Sequence, residues 1–328
     1  MDDPAEWTAE DVLRLAHQWL VLDPPQVVEL SGGRQVGRGL VSTIEHRVAQ
    51  LRRMDDFMAG GELYAVVARE VEVTAGVVRD ARYSEAVGRR LLGAVGELCQ
   101  LAGWIHDDAG QHGRAAHYYA VGVGAAHAAG AVPLGANLIS TLSYQVSNVG
   151  DPREAVLLAK TAARGAEKTA TPRARALFTE RVAYAHARAG ERQEAERALA
   201  EVERLYARDA DEPEWVYWLT EGEIDIMAGR CLVELGLPDR AVPLLENALR
   251  DYPVELTRET ALYTSWLAEA HLRAGDIDTG VSHADRVLDL TRTTASTRGR
   301  DRAMVLIRLL EPHRNVGIVR DFLERTRV

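Results

Sequence analysis

Five glycines spaced at about forty residues constrain this chain more than any other feature. Gly110, Gly150, Gly190, Gly236 and Gly275 each end an Ala-rich amphipathic stretch, and a second such stretch follows each one. Five residues past the glycine sits Ala115, Ala155, Ala195, Ala241 or, in the last copy, Gly280. Nine past it sits Tyr119, Ala159, Leu199, Leu245 or Ala284, and twelve past it Gly122, Ala162, Val202, Ala248 or Val287. A small residue one turn into a helix lets a neighbouring helix approach closely, and the later apolar positions share its face. One helical pair cannot bury that face alone, so neighbouring pairs must stack to build a core. The expected fold is all-α: an elongated right-handed α-solenoid of helical hairpins, with about fifteen helices. Such stacks bind partners far more often than they catalyse.

The chain has 328 residues, more than one ordinary globular core holds, but a repeat stack grows without that limit. Hydrophobic residues at 47% and charged residues at 27% are ordinary for a folded protein. A net charge of −10 argues against a dominant nucleic-acid surface. Cys99 and Cys231 are too few for a disulfide framework, and each sits in an apolar helical stretch as a buried thiol. No apolar run approaches the roughly 18 residues of a membrane span. Met1 to Glu10 is acidic and has no signal-peptide pattern. A reduced, cytoplasmic protein without a membrane partner is the expectation.

Ahead of the repeats, Thr8 to Leu22 reads as one amphipathic helix, with Thr8 as N-cap and Val12, Leu13, Ala16, Trp19 and Leu20 on one face. Pro24 and Pro25 end it. Val27 to Val36 alternates weakly around Ser31-Gly32-Gly33, the pattern of a short β-hairpin. A helix is expected from about Gly39 to Phe57, broken by Gly60-Gly61, with long helices over Glu62 to Arg79 and Ser84 to Gln100. The chain therefore divides into an N-terminal helical cap or linker, residues 1–60, and a repeat superhelix, residues 61–328.

Residues 86 to 290 resemble tetratricopeptide repeats. In that family an aromatic, then Leu-Gly, then Tyr precede the turn. The first copy here offers Cys99, Ala102-Gly103 and His106, and the fourth Asp225, Ala228-Gly229 and Leu232, with a closing proline at Pro253. The glycine spacings of 40, 40, 46 and 39 residues exceed the standard 34, so these copies are degenerate. A second resemblance is closer. Leu51-Arg52-Arg53-Met54-Asp55-Asp56 with Gly60-Gly61, Gln100-Leu101-Ala102-Gly103-Trp104, Asp108-Ala109-Gly110, Tyr118-Tyr119 and Ser143-Tyr144-Gln145-Val146-Ser147-Asn148 resemble segments of large actinobacterial XRE-type helix-turn-helix regulators. Only Lys160 and Lys168 are lysine among 39 basic residues, which with the Ala, Val and Gly richness fits a high-GC actinobacterial genome. In such proteins an N-terminal DNA-binding head precedes a repeat domain that senses a signal. Nothing before Leu51 fits a five-helix head, so the resemblance implies DNA contact only through a domain this chain lacks. The chain alone is expected to bind DNA weakly and without sequence preference.

Enzymatic motifs are absent. Gly122-Val123-Gly124-Ala125-Ala126-His127 half-matches a dinucleotide fingerprint but lies within a helix and follows no strand. There is no phosphate-cradling Gly-Lys-Ser/Thr loop and no Gly-x-Ser-x-Gly elbow. His112 and His117, five apart, do not share a helix face as metal ligands would. His106, His186 and His271 recur four residues before a turn glycine, a register that points to packing or turn support. Asp55-Asp56 and Asp107-Asp108 read as solvated helix ends. The basic stretches Arg34 to Arg53 and Arg292 onwards read as solvated faces. No catalytic residue, metal site or cofactor is assigned.

A binding site is arguable only on the concave face, which the first helix of each pair lines. Six residues before the turn glycine stand Trp104, Tyr144, Tyr184, Arg230 and Glu269, and two before it Asp108, Asn148, Arg188, Glu234 and Arg273. Aromatic rings with polar tips bury a ligand and still hydrogen-bond it. Asn137, Gln145 and Asn148 share a helix with Tyr144, and a side-chain amide donates and accepts at once, as a peptide backbone requires. Glu214-Trp215-Val216-Tyr217-Trp218 adds three aromatics that cannot share one helix face. The candidate ligand-binding residues are Trp104, Asn137, Tyr144, Asn148 and Tyr184. The expected function is non-enzymatic sensing of a peptide or small-molecule signal for a transcriptional regulator, with a second copy of the chain as a further partner. The competing reading is a protein–protein interaction scaffold without a small ligand.

Overall fold

The computed structural model describes residues 8–23, 33, 35–58, 60–206, 211–253, 255–293 and 296–326. Among them are fifteen α-helices and two short 3-10 turns, Glu214–Val216 and Glu311–His313. Helices α1 (Ala9–Val21), α2 (Arg38–Asp55) and α3 (Gly60–Asp80) come first. Five hairpins follow. They pair α4 (Glu85–Asp108) with α5 (His112–Ala129), α6 (Val132–Val149) with α7 (Pro152–Gly165), and α8 (Pro172–Arg188) with α9 (Arg192–Leu205). The last two pair α10 (Glu221–Glu234) with α11 (Pro238–Arg250), and α12 (Thr257–Ala274) with α13 (Ile277–Thr293). Helices α14 (Thr297–Leu310) and α15 (Gly317–Arg325) come after them. No described helix is long and apolar enough to cross a membrane. The expected β-hairpin lies outside the described residues except at Gly33, Gln35 and Val36. There Gln35 makes a single parallel bridge to Arg82, and the Val36 N–H donates to the Arg82 carbonyl at 2.8 Å.

The hairpins turn at the repeating glycines. Gly110, Gly190, Gly236 and Gly275 adopt φ of 75°, 74°, 70° and 87°, the left-handed region that closes a helix at little cost only for glycine. The N–H of the next residue then reaches back to the carbonyl of His106, His186, Leu232 or His271 at 2.8–3.0 Å. The three histidines reinforce the same turns with their rings. Nδ1 of His106 meets Gln111 at 2.8 Å, that of His186 meets Glu191 at 2.5 Å, and that of His271 meets Asp276 at 3.3 Å. Their recurrence is turn support. Gly150 differs, with φ −120°, because Asp151 caps α7 instead, accepting from the Arg153 N–H at 2.8 Å.

The small positions set the spacing within each pair. Ala115, Ala155, Ala195 and Ala241 are fully buried. A Cβ added at Gly103 would lie 2.3 Å from the Tyr119 ring, and one at Gly229 would lie 2.6 Å from Leu245. The first helices, α4, α6, α8, α10, α12 and α14, pack successively against one another as an inner layer. The second helices, α5, α7, α9, α11 and α13, lie behind them. This is an α-solenoid of helical hairpins. Helix α1 packs across α5 and α7, with Trp19 seated over Gly135 and Gly165.

The stack is less open than the repeat pattern predicts, because its ends meet. Arg258 at the start of α12 donates to the Asp55 carbonyl at 2.7 Å and lies 3.4 Å from the Asp55 and Asp108 carboxylates. Asp108, at the end of α4, also accepts from Arg298 and Ser296 at the start of α14, at 2.7 and 2.9 Å. These contacts join positions 150 to 203 residues apart. The reading of Asp55, Asp107 and Asp108 as solvated ends is thereby corrected, since all three are buried. Several arginines of the basic stretches are also not solvated. Arg52 is buried against Glu97 at 2.8 Å, and Arg298 and Arg302 are held by Asp108 and Glu269. A local charge count cannot register partners that lie 33 to 190 residues away.

Candidate functional site

The curl of the inner layer encloses a cavity of about 380 Å³. Its walls follow one helical face, repeated from hairpin to hairpin. Gln100, Leu101 and Trp104 come from α4, Asn137, Ser140, Thr141 and Tyr144 from α6, and Leu177, Glu180 and Arg181 from α8. Glu223, Ile226, Met227 and Arg230 come from α10, and Arg258, Glu259, Leu262 and Tyr263 from α12. The segment before α10 adds Trp215, Tyr217 and Trp218, and the end of α2 adds Arg52, Asp55 and Asp56. A volume of this size suits a small molecule or a very short peptide, near the lower end of the ordinary range for ligand sites.

Three of the five residues expected from the sequence line this cavity. Trp104 stacks on Tyr144 with ring centroids 6.0 Å apart, and the Arg298 guanidinium lies 4.4 Å from the Trp104 ring. Asn137 is buried, and its side-chain amide makes no hydrogen bond to the described protein. Tyr144 accepts from Arg230 at 2.9 Å, with Arg181 4.5 Å from its ring centroid. Burial raises the Tyr144 phenol, but Arg230, Arg298 and Arg181 outweigh that and bring it down to about 8. Tyr184 and Asn148 stand one layer behind. The Tyr184 hydroxyl donates to Asn148 Oδ1 at 2.8 Å, and Asn148 Nδ2 donates to the Tyr144 carbonyl at 2.9 Å. They brace Tyr144 rather than line the space. Gln145 is occupied elsewhere, on the His112 carbonyl at 2.8 Å.

The polar groups of the wall fall into two sets. One set is mutually satisfied: Glu223 accepts from the hydroxyls of Tyr252 and Tyr263, each at 2.7 Å, and Tyr217 donates to Asp56 at 2.5 Å. The other set is not. Ser140 Oγ, Glu180 Oε2 and Arg230 Nε are buried without a partner among the described residues, as are Arg52 Nε and Nη1, Asp55 Oδ1, Arg258 Nε and Glu259 Oε2. Burial pushes Glu180 up to about 7, against the pull of Arg181, and it raises Asp55, Asp56, Glu223 and Glu259 as well. Buried polar groups are normally paired, so eight unpaired atoms on the residues around one cavity are unusual.

The segment Glu214 to Trp218 opens as the 3-10 turn Glu214–Val216, and Tyr217 and Trp218 follow it in a turn ahead of α10. Its three rings separate accordingly. Trp215 stacks on Phe178 at 6.3 Å, Tyr217 lies under Arg53 at 3.7 Å, and Trp218 lies 5.8 Å from Arg181. Cys99 and Cys231 are buried free thiols, and burial pushes Cys99 up to about 12, far from thiolate reactivity.

No protein-family model matches the chain, and no curated protein matches it. Among solved structures it is similar to the apo form of the quorum sensor NprR from B. thuringiensis, at 14% identity and a TM-score of 0.46. That alignment covers 96% of this chain and 91% of the other. A likeness this distant carries no argument about function.

Proposed function

We propose that the chain is a non-enzymatic sensory domain of a transcriptional regulator, and that its signal, a small molecule or very short peptide, occupies the cavity. The observation that carries this reading is the convergence of unpaired buried polar groups on the wall of one aromatic-lined cavity. Ser140, Glu180 and Arg230 each bring an unpaired buried atom to its wall, beside Asn137, Trp104 and Tyr144. Leaving such groups unpaired costs free energy that a ligand recovers. Trp104, Asn137 and Tyr144 contact the ligand in this reading, while Asn148 and Tyr184 hold Tyr144 in place. DNA is contacted only through a further domain, and residues 1–60 act as the cap that couples occupancy to that domain. The coupling has a physical route: Asp56 at the end of α2 accepts from Tyr217, a residue of the cavity wall, so filling the cavity bears on α2. A scaffold that docks a folded partner in its groove is the less favoured reading, because contacts from α2 to α12 and from α4 to α14 tie the two ends of the stack together.

Thermal melting against pools of short peptides and metabolites tests the reading. A ligand present at a hundredfold excess over its Kd stabilises by about 2.7 kcal/mol, a Tm rise of several degrees. Asn137→Ala removes an amide with no protein partner, so it should melt like the native chain yet bind the hit at least tenfold more weakly, about 1.4 kcal/mol. A hit that binds Asn137→Ala and the native chain equally contradicts this site.

A further inference from the structure

Arg230 lines the cavity with an incomplete set of hydrogen bonds and no carboxylate partner. It is buried, six residues before the Gly236 turn, and its Nη2 donates to the Tyr144 hydroxyl while its Nε has no partner. Three rings surround it, with centroids 4.9 Å (Tyr184), 5.1 Å (Trp266) and 5.4 Å (Tyr144) from the guanidinium carbon. Aromatic faces stabilise the charge but accept none of its in-plane hydrogen bonds.

The carboxylates nearby bond other groups than Arg230, although Glu180 Oε2 and Glu259 Oε2 have no partner among the described residues. Both oxygens of Glu223 accept tyrosine hydroxyls. Glu269 pairs with Arg302 and Arg273 at 2.5 and 2.6 Å. Glu180 pairs with its neighbour Arg181 at 3.1 Å, and burial pushes it up towards neutrality. Arg181, for its part, lies on the same Tyr144 ring. Arg230 thus makes no ion pair among the described residues, on a wall that also carries Arg52, Arg181, Arg258 and Arg298 and the carboxylates of Asp55, Asp56, Glu180, Glu223 and Glu259.

We infer that the cavity takes a monoanionic ligand, a carboxylate-type head group on an aromatic or branched apolar body, with the head received by Arg230 beside Arg181 and the body among Trp104, Trp218 and Met227. A guanidinium fork matches the two oxygens of such a group in plane. Arg230 has no carboxylate of its own, so a head group with one negative charge complements it, whereas a phosphate dianion would add surplus charge to a wall that already carries five carboxylates. This deepens the proposed function and rests on it.

The test uses two fluorescent probes that share an aromatic body and differ in charge: anilinonaphthalene sulfonate, a monoanion, and neutral N-phenylnaphthylamine. Fluorescence titration of the native chain should show the anion binding at least tenfold more tightly. Arg230→Gln should lose at least tenfold for the anion while holding the neutral probe within twofold. Arg230→Lys, which keeps the charge, should retain a preference for the anion. Equal binding of both probes by the native chain overturns the anion inference and leaves the cavity reading standing, and that comparison needs no variant to fold. Tight anion binding that is unchanged in both Arg230 variants also overturns it, since the head then lies elsewhere. Binding of neither probe overturns both the inference and the reading of the cavity as a ligand site.

Discussion

Arg258→Ala is expected to destabilise the chain by roughly 3–5 kcal/mol in urea unfolding, the cost typical of removing one partner from a buried ionic network. Arg258 is buried and is the hub where α2, α4 and α12 meet. It serves the Asp55 carbonyl, the Asp55 and Asp108 carboxylates and Glu259. Alanine leaves Asp55 buried with little to offset its charge. Burial already holds that carboxyl above its usual range despite the pull of Arg258. Arg53→Ala is the control. Its pair with Glu214, at 2.9 Å, is about half exposed on both sides and should be worth less than about 1 kcal/mol. A loss below 1 kcal/mol for Arg258→Ala would mean that the ends of the stack are not held together in solution.

Trp19→Ala carries the second large effect, roughly 3–5 kcal/mol, as for other buried Trp truncations. The indole is only 7% exposed and fills a niche that two glycines make possible. A Cβ at Gly135 or at Gly165 would lie 2.2 Å from its ring atoms. These glycines are needed for the space they leave, since neither has a positive φ. Leu13→Ala on the same helix, where Leu13 is 54% exposed, should change stability by no more than about 0.5 kcal/mol. If urea unfolding finds the two substitutions equal, α1 is not docked on α5 and α7.

The hairpin register was legible because it is local. A turn glycine, a small residue five later and apolar residues at nine and twelve follow directly from helix geometry, and the five pairs form where that spacing places them. The position six residues before the turn was legible for the same reason, and it pointed to Trp104, Tyr144 and Arg230 on the inner face. Extending that register back by one and two turns would have found most of the wall. Nine, ten and thirteen residues before the glycine stand Leu101, Gln100, Thr141, Ser140, Asn137, Arg181, Glu180, Leu177, Met227, Ile226 and Glu223. Tyr184 obeys the register yet stays behind the wall, its hydroxyl committed to Asn148.

The closure of the stack was not legible. Asp55 with Arg258, and Asp108 with Arg298, are joined by the accumulated rotation of five hairpins. Local pattern does not encode that rotation, so doublets of acids and runs of arginine look solvated when read in isolation. The glycine niche for Trp19 was hidden for the same reason: Gly135 and Gly165 gain meaning only once α1 is placed against them.

The central claim, that the enclosed cavity receives the signal, is tested most directly by a crystal structure of the chain soaked with a compound that raises its Tm. The account predicts ligand density inside the cavity, within hydrogen-bonding distance of the Asn137 amide and Arg230 and in contact with the rings of Trp104 and Tyr144. Density on the outer helices or between two copies of the chain, with the Asn137 amide and Arg230 Nε still without a partner, would contradict it.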